Sequence, residues 1–182
     1  MSGTAPIRAP LHRRSWLVLA GGAALLAGLP GCGFALRSAP KFAFESLRLR
    51  GSEGTPVAQE LRQTLLLSGV RVFASDLPAS PEGETGQVVL TVLTDQRERS
   101  VVGQTASGQV RELQLRTRFR FRLANAAGKL LLEDVELLLE RDISFTETAV
   151  LAKEAEEAAL YRDMQSDIVQ QVMRRLSAVQ TL

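Results

Sequence analysis

Hydrophobic and polar residues alternate most regularly between Val110 and Leu123. Successive side chains of a β-strand point to opposite faces of the sheet, so this segment is predicted to be a strand with one apolar and one polar face. The apolar face holds Leu113, Leu115, Thr117, Phe119, Phe121 and Leu123. The polar face holds Gln114, Arg116, Arg118, Arg120 and Arg122.

Three other segments predict strands with weaker alternation: Phe42–Arg50, Gln87–Val102 and Leu130–Phe145. In the last of these, the residues expected to point inward are Leu131, Val135, Leu137, Leu139, Ile143 and Phe145. The short segment Val70–Phe73 either extends into the sheet or lies at its edge. The segment 74–86 is rich in proline, serine, glycine and acidic residues and is predicted to be a surface loop.

Two helices are predicted around these strands. Thr55 is a suitable N-cap and Pro56 a suitable first residue for a helix that ends before Gly69. The second helix is predicted over Ala149–Ser177, with an apolar residue at every fourth position from Leu160 to Leu176. The order of elements predicts an α+β fold. We expect a two-layer sandwich in which two helices cover one face of a four-stranded, mostly antiparallel sheet.

The last two strands should form a hairpin. The sequence Ala126-Ala127-Gly128 suits a three-residue turn in which the glycine adopts the left-handed conformation. Asn125 would then face Lys129, which places Arg120 opposite Asp134 and Arg118 opposite Glu136. The polar face is thus either a solvated surface of paired charges or a surface that contacts a partner. Each exposed pair contributes less than about 1 kcal/mol, so stability alone is a weak reason for four arginines in one row.

The N-terminal residues 1–31 have the layout of a lipoprotein signal peptide. Arg8, Arg13 and Arg14 precede the uncharged segment from Trp16 to Leu29, which is shorter than the roughly 20 residues of a membrane-spanning helix. Cys32 follows directly and is the only cysteine. The paired arginines fit either a general secretory signal or a twin-arginine signal.

Acylation is the simplest use for Cys32, since a disulfide would need a second cysteine. The alternative is an ordinary secretory signal followed by a structural cysteine. Several acyl chains on one cysteine give stable membrane attachment, which needs about two chains. Gly33 stands where an aspartate would favour retention in the inner membrane, so we expect an outer-membrane protein anchored on the periplasmic side. Residues 32–41 would form the lipidated tether and residues 42–182 a single domain.

Charge and composition narrow the function of this domain. Removing the three leader arginines from the 22 basic residues leaves 19 against 20 acidic residues, which gives no support for nucleic-acid binding. The only histidine, His12, also lies in the leader. Without it, neither a Ser-His-Asp nor a Cys-His arrangement nor a histidine-based metal site is available. We therefore expect no catalytic residues, no bound metal and no cofactor.

Two segments resemble the LPS-assembly lipoprotein family LptE, most closely its betaproteobacterial branch. They are the start Gly31-Cys32-Gly33-Phe34-Ala35-Leu36-Arg37 and the opening of the second helix, Val150-Leu151-Ala152-Lys153. The resemblance covers nearly all of the chain after the leader and implies the same α+β fold. It also implies a one-to-one complex with the outer-membrane barrel LptD. In that complex the protein would plug the barrel, assist its assembly and bind lipopolysaccharide.

The resemblance implies a lipopolysaccharide-binding role for Lys153, whose ammonium can donate to the phosphates of lipid A. The alternative is that Lys153 only pairs with Glu156 or Glu157. The family's second basic contact falls here on Ala106 or Ser107, neither of which is basic. Arg97, Arg99 or Arg111 would have to replace it, and we select Arg99 and Arg111.

The resemblance assigns Arg116, Arg118, Arg120 and Arg122 to a surface that faces the barrel. Two other classes of function stay open. One is a scaffold lipoprotein of a different envelope assembly machine, and the other is a lipid-anchored hydrolase that uses paired carboxylates.

Overall fold

The structure is a computed structural model that describes residues 40–51, 54–73, 87–146 and 149–182. The predicted signal peptide, Cys32 and the predicted loop 74–86 lie outside these residues. The described residues all belong to one compact unit, which covers Ala39–Leu182. Within the described part of the chain, no helix is both long enough and apolar enough to cross a membrane.

The described residues form five strands and two helices. The strands are β1 (Ser46–Arg50), β2 (Arg71–Phe73), β3 (Gln87–Gln104), β4 (Val110–Asn125) and β5 (Leu130–Ser144), and the helices are α1 (Pro56–Leu67) and α2 (Val150–Ala178). They form a single sheet in the order β2-β1-β3-β4-β5. β1 is parallel to β2 and β3, whereas β3, β4 and β5 are antiparallel neighbours. The α+β class and the two helices are therefore confirmed.

The predicted count of four strands is wrong, because the sheet has five. The additional strand is β2, which pairs with β1 from Ser46↔Arg71 to Arg48↔Phe73. A strand of three residues is too short to show the alternation of apolar and polar residues. The sequence of this segment therefore could not distinguish a paired strand from an extension at the sheet edge.

Helix α1 connects two parallel strands and depends on two contacts with β3. Gly51 has φ +79, and a Cβ atom at this position would lie 2.3 Å from the carbonyl oxygen of Val92. Only glycine fits such a close approach to a neighbouring backbone. At the start of α1, the backbone N–H of Val57 donates to Asp95 Oδ2 over 3.2 Å. Thr55 occupies the N-cap position, but its side chain makes no capping hydrogen bond. A carboxylate of β3 therefore takes that role.

Two buried clusters lie between the sheet and the helices. The larger one joins β1, β3, β4 and both helices, and includes Leu47, Leu61, Phe119 and Ile168. The smaller one consists of Leu113, Leu115, Ile143, Tyr161 and Met164.

Two ends of the domain can be defined from the strand pairing. The entry end holds the start of β1 and β3 and the turn between β4 and β5, because Ser46 pairs with Gln87 and Val88 pairs with Asn125. The tip end holds the turn between β3 and β4 and the start of α2, which follows the end of β5. Helix α2 runs from the tip end back to the entry end, where Ala178 shares a groove with Lys129.

The β4–β5 turn has the predicted geometry, but the register beyond it differs. Gly128 has φ +85, and the N–H of Asn125 donates to the carbonyl of Lys129 over 2.9 Å. Two irregularities then follow, so Arg120 lies opposite Glu136 rather than Asp134. Arg118 lies opposite Leu138 rather than Glu136. From Val135 onwards the total shift is two residues, which keeps the side chains of that part of β5 on their predicted faces, whereas Leu132, between the irregularities, lies opposite Leu123.

Candidate functional site

The polar face of the sheet carries a row of ion pairs between β4 and β5. The N···O distances are 2.6 Å for Arg116–Glu140, 3.7 Å for Arg118–Glu136, 3.4 Å for Arg120–Asp134 and 3.3 Å for Arg122–Asp134. The predicted ion pairs of Arg118 and Arg120 are thus present, although they run diagonally between the strands. This face points away from the helices, since the alternate residues of β4 are buried beneath them.

These pairs neutralise most of the arginine charge within the sheet itself. The side chains remain 36–46% exposed, so their accessible atoms can contact another surface, although the Nε atoms of Arg116 and Arg118 are buried. Exposed pairs of this kind contribute little to stability. The arrangement therefore forms a nearly neutral but strongly hydrogen-bonding surface, suited to a polar partner.

Lys153 lies in the first turn of α2 at the tip end. Its Nζ is 2.9 Å from Glu156 Oε2 and 3.1 Å from Ser144 Oγ, and its side chain is 20% exposed. The pairing with Glu156, predicted as the alternative role, is thus present. An ammonium group has three N–H donors, and these contacts use two of them. Among the described residues, the third donor of Lys153 has no hydrogen-bond partner, so it is available to a ligand.

Arg99 is the predicted second contact that the structure brings against α2, the helix that carries Lys153. Its Nε lies 3.4 Å from Glu157 Oε2, and Glu157 is one helical turn after Lys153. Arg111 is exposed at the start of β4, where its carbonyl accepts a hydrogen bond of 2.8 Å from the N–H of Phe145. All three basic residues therefore lie toward the tip end, where Lys153 contacts the end of β5 and Arg99 of β3 contacts the next turn of α2.

Arg97 has a structural role. Its guanidinium carbon lies 5.2 Å from the centroid of the Tyr161 ring, and its Nη2 donates to Gln165 Oε1 over 2.5 Å. Gln165 in turn donates to Glu60 Oε2 over 2.6 Å. These contacts connect β3 to both helices, so Arg97 is a poor candidate for ligand binding.

Tyr161 is at the centre of this connection. Its hydroxyl donates to the carbonyl of Glu98 over 2.6 Å. Burial raises the pKa of the phenol above its ordinary value, and the nearby carboxylate of Glu157 acts in the same direction. Sequence reasoning missed this residue, because Tyr161 falls between the positions of the four-residue apolar repeat.

Sequence reasoning also missed a set of exposed apolar side chains at the tip end. Val101, Val102, Val150 and Leu151 are 47%, 50%, 40% and 83% exposed. They lie on the same two elements as Arg99 and Lys153. The pair Val101-Val102 within a polar stretch of β3 was the available signal. The tip end thus combines cations with exposed apolar groups, as an anionic amphiphile would require.

Among the described residues, no three histidine, cysteine, aspartate or glutamate side chains are grouped as metal ligands would be.

The chain is similar to several known lipoproteins. Residues 40–176 match the family described as LptE, lipopolysaccharide-assembly. The solution structure of an uncharacterized lipoprotein B from Nitrosomonas europaea is 31% identical in sequence, with a TM-score of 0.63. The match covers 80% of this chain and 91% of that one.

Two further structures show the same fold at lower identity. Rare lipoprotein B from Shewanella oneidensis is 22% identical with a TM-score of 0.59, over 73% of this chain and 94% of that one. A minor lipoprotein from Acinetobacter baumannii is 22% identical with a TM-score of 0.57, over 76% of this chain and 94% of that one. No curated protein sequence matches the chain. The match over residues 40–176 shows that the chain belongs to the LptE family of lipopolysaccharide-assembly lipoproteins.

Proposed function

We propose that this protein is an outer-membrane lipoprotein, anchored through acylated Cys32, that plugs the barrel LptD, helps to assemble it and binds lipopolysaccharide. The role is non-catalytic and needs no cofactor. The observation that carries the proposal is family membership over residues 40–176. The anchor would keep the domain on the periplasmic side of the membrane and in the barrel lumen.

The polar sheet face supports a position inside a barrel. The lumen of a large outer-membrane barrel is polar. A surface of half-exposed ion pairs, from Arg116–Glu140 to Arg122–Asp134, can exchange hydrogen bonds with such a wall without leaving a charge unpaired. An apolar sheet face would not be compatible with that environment.

The tip end supports lipopolysaccharide binding. Lys153 and Arg99 can pair with the lipid A phosphates, and Arg111 adds a third cation nearby. The adjacent exposed residues Val101 and Leu151 suit the apolar part of the same molecule. Binding has to compete with Glu156 and Glu157, which already contact Lys153 and Arg99.

Affinity purification from outer membranes tests the barrel complex. We expect one large barrel to co-purify in a one-to-one ratio with the lipidated protein. Cys32→Ala should abolish labelling by radioactive palmitate and leave the protein soluble or mislocalised. Recovery of a different barrel or machine would instead support the scaffold function. Palmitate labelling of Cys32→Ala would show that Cys32 is not the anchor.

Charge reversal tests the lipopolysaccharide contact. Lys153→Glu should weaken lipopolysaccharide binding and leave the barrel complex intact. The loss should be largest in low salt, because exposed charges are screened over about 8 Å at physiological ionic strength. Arg62→Glu, an exposed position in α1, is the matched control and should bind normally. Wild-type binding by Lys153→Glu in low salt would contradict the role assigned to Lys153.

A further inference from the structure

The entry end of the domain exposes leucine side chains to solvent. Leu66 and Leu67, the last residues of α1, are 49% and 90% exposed, and Leu130, the first residue of β5, is 47% exposed. The C-terminal Leu182 is 37% exposed. The four leucines share one end of the domain. Helix α1 leads back to Arg71, which pairs with Ser46, and Leu130 follows the turn after Asn125, which pairs with Val88 at the start of β3. Leu182 follows Thr181, which lines a groove with Lys129.

Two cations lie beside Leu130. Lys129 and Arg175 line an open groove of about 510 Å³ whose other walls include Leu130–Leu132 and Val179. Within the described residues, neither cation takes part in an ion pair. Exposed apolar side chains next to basic residues are typical of surfaces that rest on an anionic membrane.

The position of the chain's entry identifies the membrane concerned. Cys32 precedes Ser46 by 14 residues, and a chain of that length spans at most about 50 Å even when fully extended. An acyl anchor at Cys32 would therefore keep the entry end within about 50 Å of the bilayer. We propose that the entry end docks on the anionic phospholipid surface of the membrane that holds this anchor, with the leucines at the interface and Lys129 and Arg175 on lipid phosphates.

This docking rests on the proposed anchor at Cys32, but it assigns a separate surface: the entry end would project from the periplasmic mouth of the barrel, while the polar sheet face lies in the lumen. The exposed apolar residues of the tip end, such as Leu151, lie at the opposite end of α2. Docking through the entry end would direct the tip end away from the lipid phosphates that Lys129 contacts. The two ends would thereby bind different lipids: phospholipid at the entry end and lipopolysaccharide at the tip end.

Tryptophan fluorescence can test the orientation. The only tryptophan, Trp16, lies in the leader that processing would remove. Leu67→Trp therefore introduces a single reporter at the entry end, and Leu151→Trp is the matched control, since both replace an exposed leucine near a helix end. Lipidated protein purified from membranes would be placed in vesicles of phosphatidylethanolamine and phosphatidylglycerol that contain brominated acyl chains. We expect quenching of Leu67→Trp and none of Leu151→Trp.

Charge reversal tests the role of the groove. Each basic residue close to an anionic membrane strengthens binding by about fivefold. The double variant Lys129→Glu with Arg175→Glu should therefore reduce the quenching of Leu67→Trp in these vesicles. Vesicles of phosphatidylcholine alone should show little difference between the variants. The double variant Arg62→Glu with Arg162→Glu, at exposed positions within the two helices, should leave the quenching unchanged.

Palmitate labelling of the same preparations separates the two proposals. The first outcome is protein that is labelled by palmitate while Leu67→Trp is not quenched, or is quenched no more than Leu151→Trp. This result would overturn the docking surface and leave the anchor standing. Unlabelled protein that is still quenched at Leu67→Trp would overturn the anchor alone. Unlabelled and unquenched protein would overturn both.

Discussion

Thr117→Val should stabilise the domain. Thr117 lies on the inner face of β4, between Leu115 of the smaller cluster and Phe119 of the larger one, and is 0% exposed. Its backbone pairs with Arg97 on one side and Leu139 on the other, so the neighbouring backbone groups are engaged in the sheet. Its hydroxyl oxygen has no hydrogen-bond partner within the described part of the chain.

The expected gain follows from this unsatisfied hydroxyl. A buried polar group without a partner costs about 1–3 kcal/mol. Valine has the same shape and replaces the hydroxyl by a methyl group, so the substitution removes this cost without creating a cavity. For a domain of this size, a gain of about 1 kcal/mol raises Tm by roughly 2–4 °C, so we expect an increase of about 2–12 °C.

Urea and thermal unfolding of the purified domain would measure the change. Thr117→Ser is the control, because it keeps the hydroxyl and removes the methyl group. It should lower the free energy of unfolding by about 0.5–1.5 kcal/mol, as comparable deletions of one methyl group do. A Thr117→Val protein that is less stable than wild type would refute the reasoning, since it would show that the hydroxyl has a partner in solution.

Two further changes test the contacts around α1 and α2. Gly51→Ala should lower the free energy of unfolding by more than about 1–2 kcal/mol, which is the cost of the left-handed conformation alone. The loss should be larger because the new Cβ would also meet the carbonyl of Val92. Gly54→Ala is the control in the same denaturation assay, because a Cβ at that position has nothing within 4 Å. The raised pKa of Tyr161 means that the folded state holds the phenol proton more tightly than the unfolded state. Its contribution to the free energy of unfolding is therefore fully present below the ordinary pKa of about 10 and is lost as pH rises through the folded-state pKa. Tyr161→Phe should reduce this loss of stability at high pH. Since Tyr161 is the only tyrosine, its phenolate absorbance reports the titration directly, and a midpoint below the ordinary value would contradict the assignment.

The sequence was informative where a pattern repeats over many residues. The alternation in β4 predicted both faces of the sheet, and the four-residue repeat in α2 predicted the burial of Met164, Ile168 and Leu176. The turn at Gly128 could be predicted for a different reason, since its conformation depends on three adjacent residues. These features are local, so neighbouring residues are sufficient to specify them.

The sequence was less informative where distant segments decide the structure. The pairing of β2 depends on β1 rather than on its own three residues. From Val135 onwards the two irregularities beyond the β4–β5 turn shift the register by an even number of residues, so the apolar pattern of that part of β5 carried no sign of them. At the tip end, Lys153 and Arg99 were predicted as separate positions. Their common end of the domain follows from the strand pairing and from the start of α2 directly after β5, which the sequence alone does not specify.

The cap that Asp95 places on α1 has a consequence for the order of folding. Strands β3, β4 and β5 are joined by short turns, so their pairing closes only small loops. The pairing of Ser46 with Gln87 has to close a far longer loop, and the entropy cost of closure grows with its length. Helix α1 obtains its N-terminal hydrogen bond only once β3 is in place. We therefore expect the three antiparallel strands to form first and the β1–α1–β2 unit to dock on them late, with its side chains contributing little to the folding transition state.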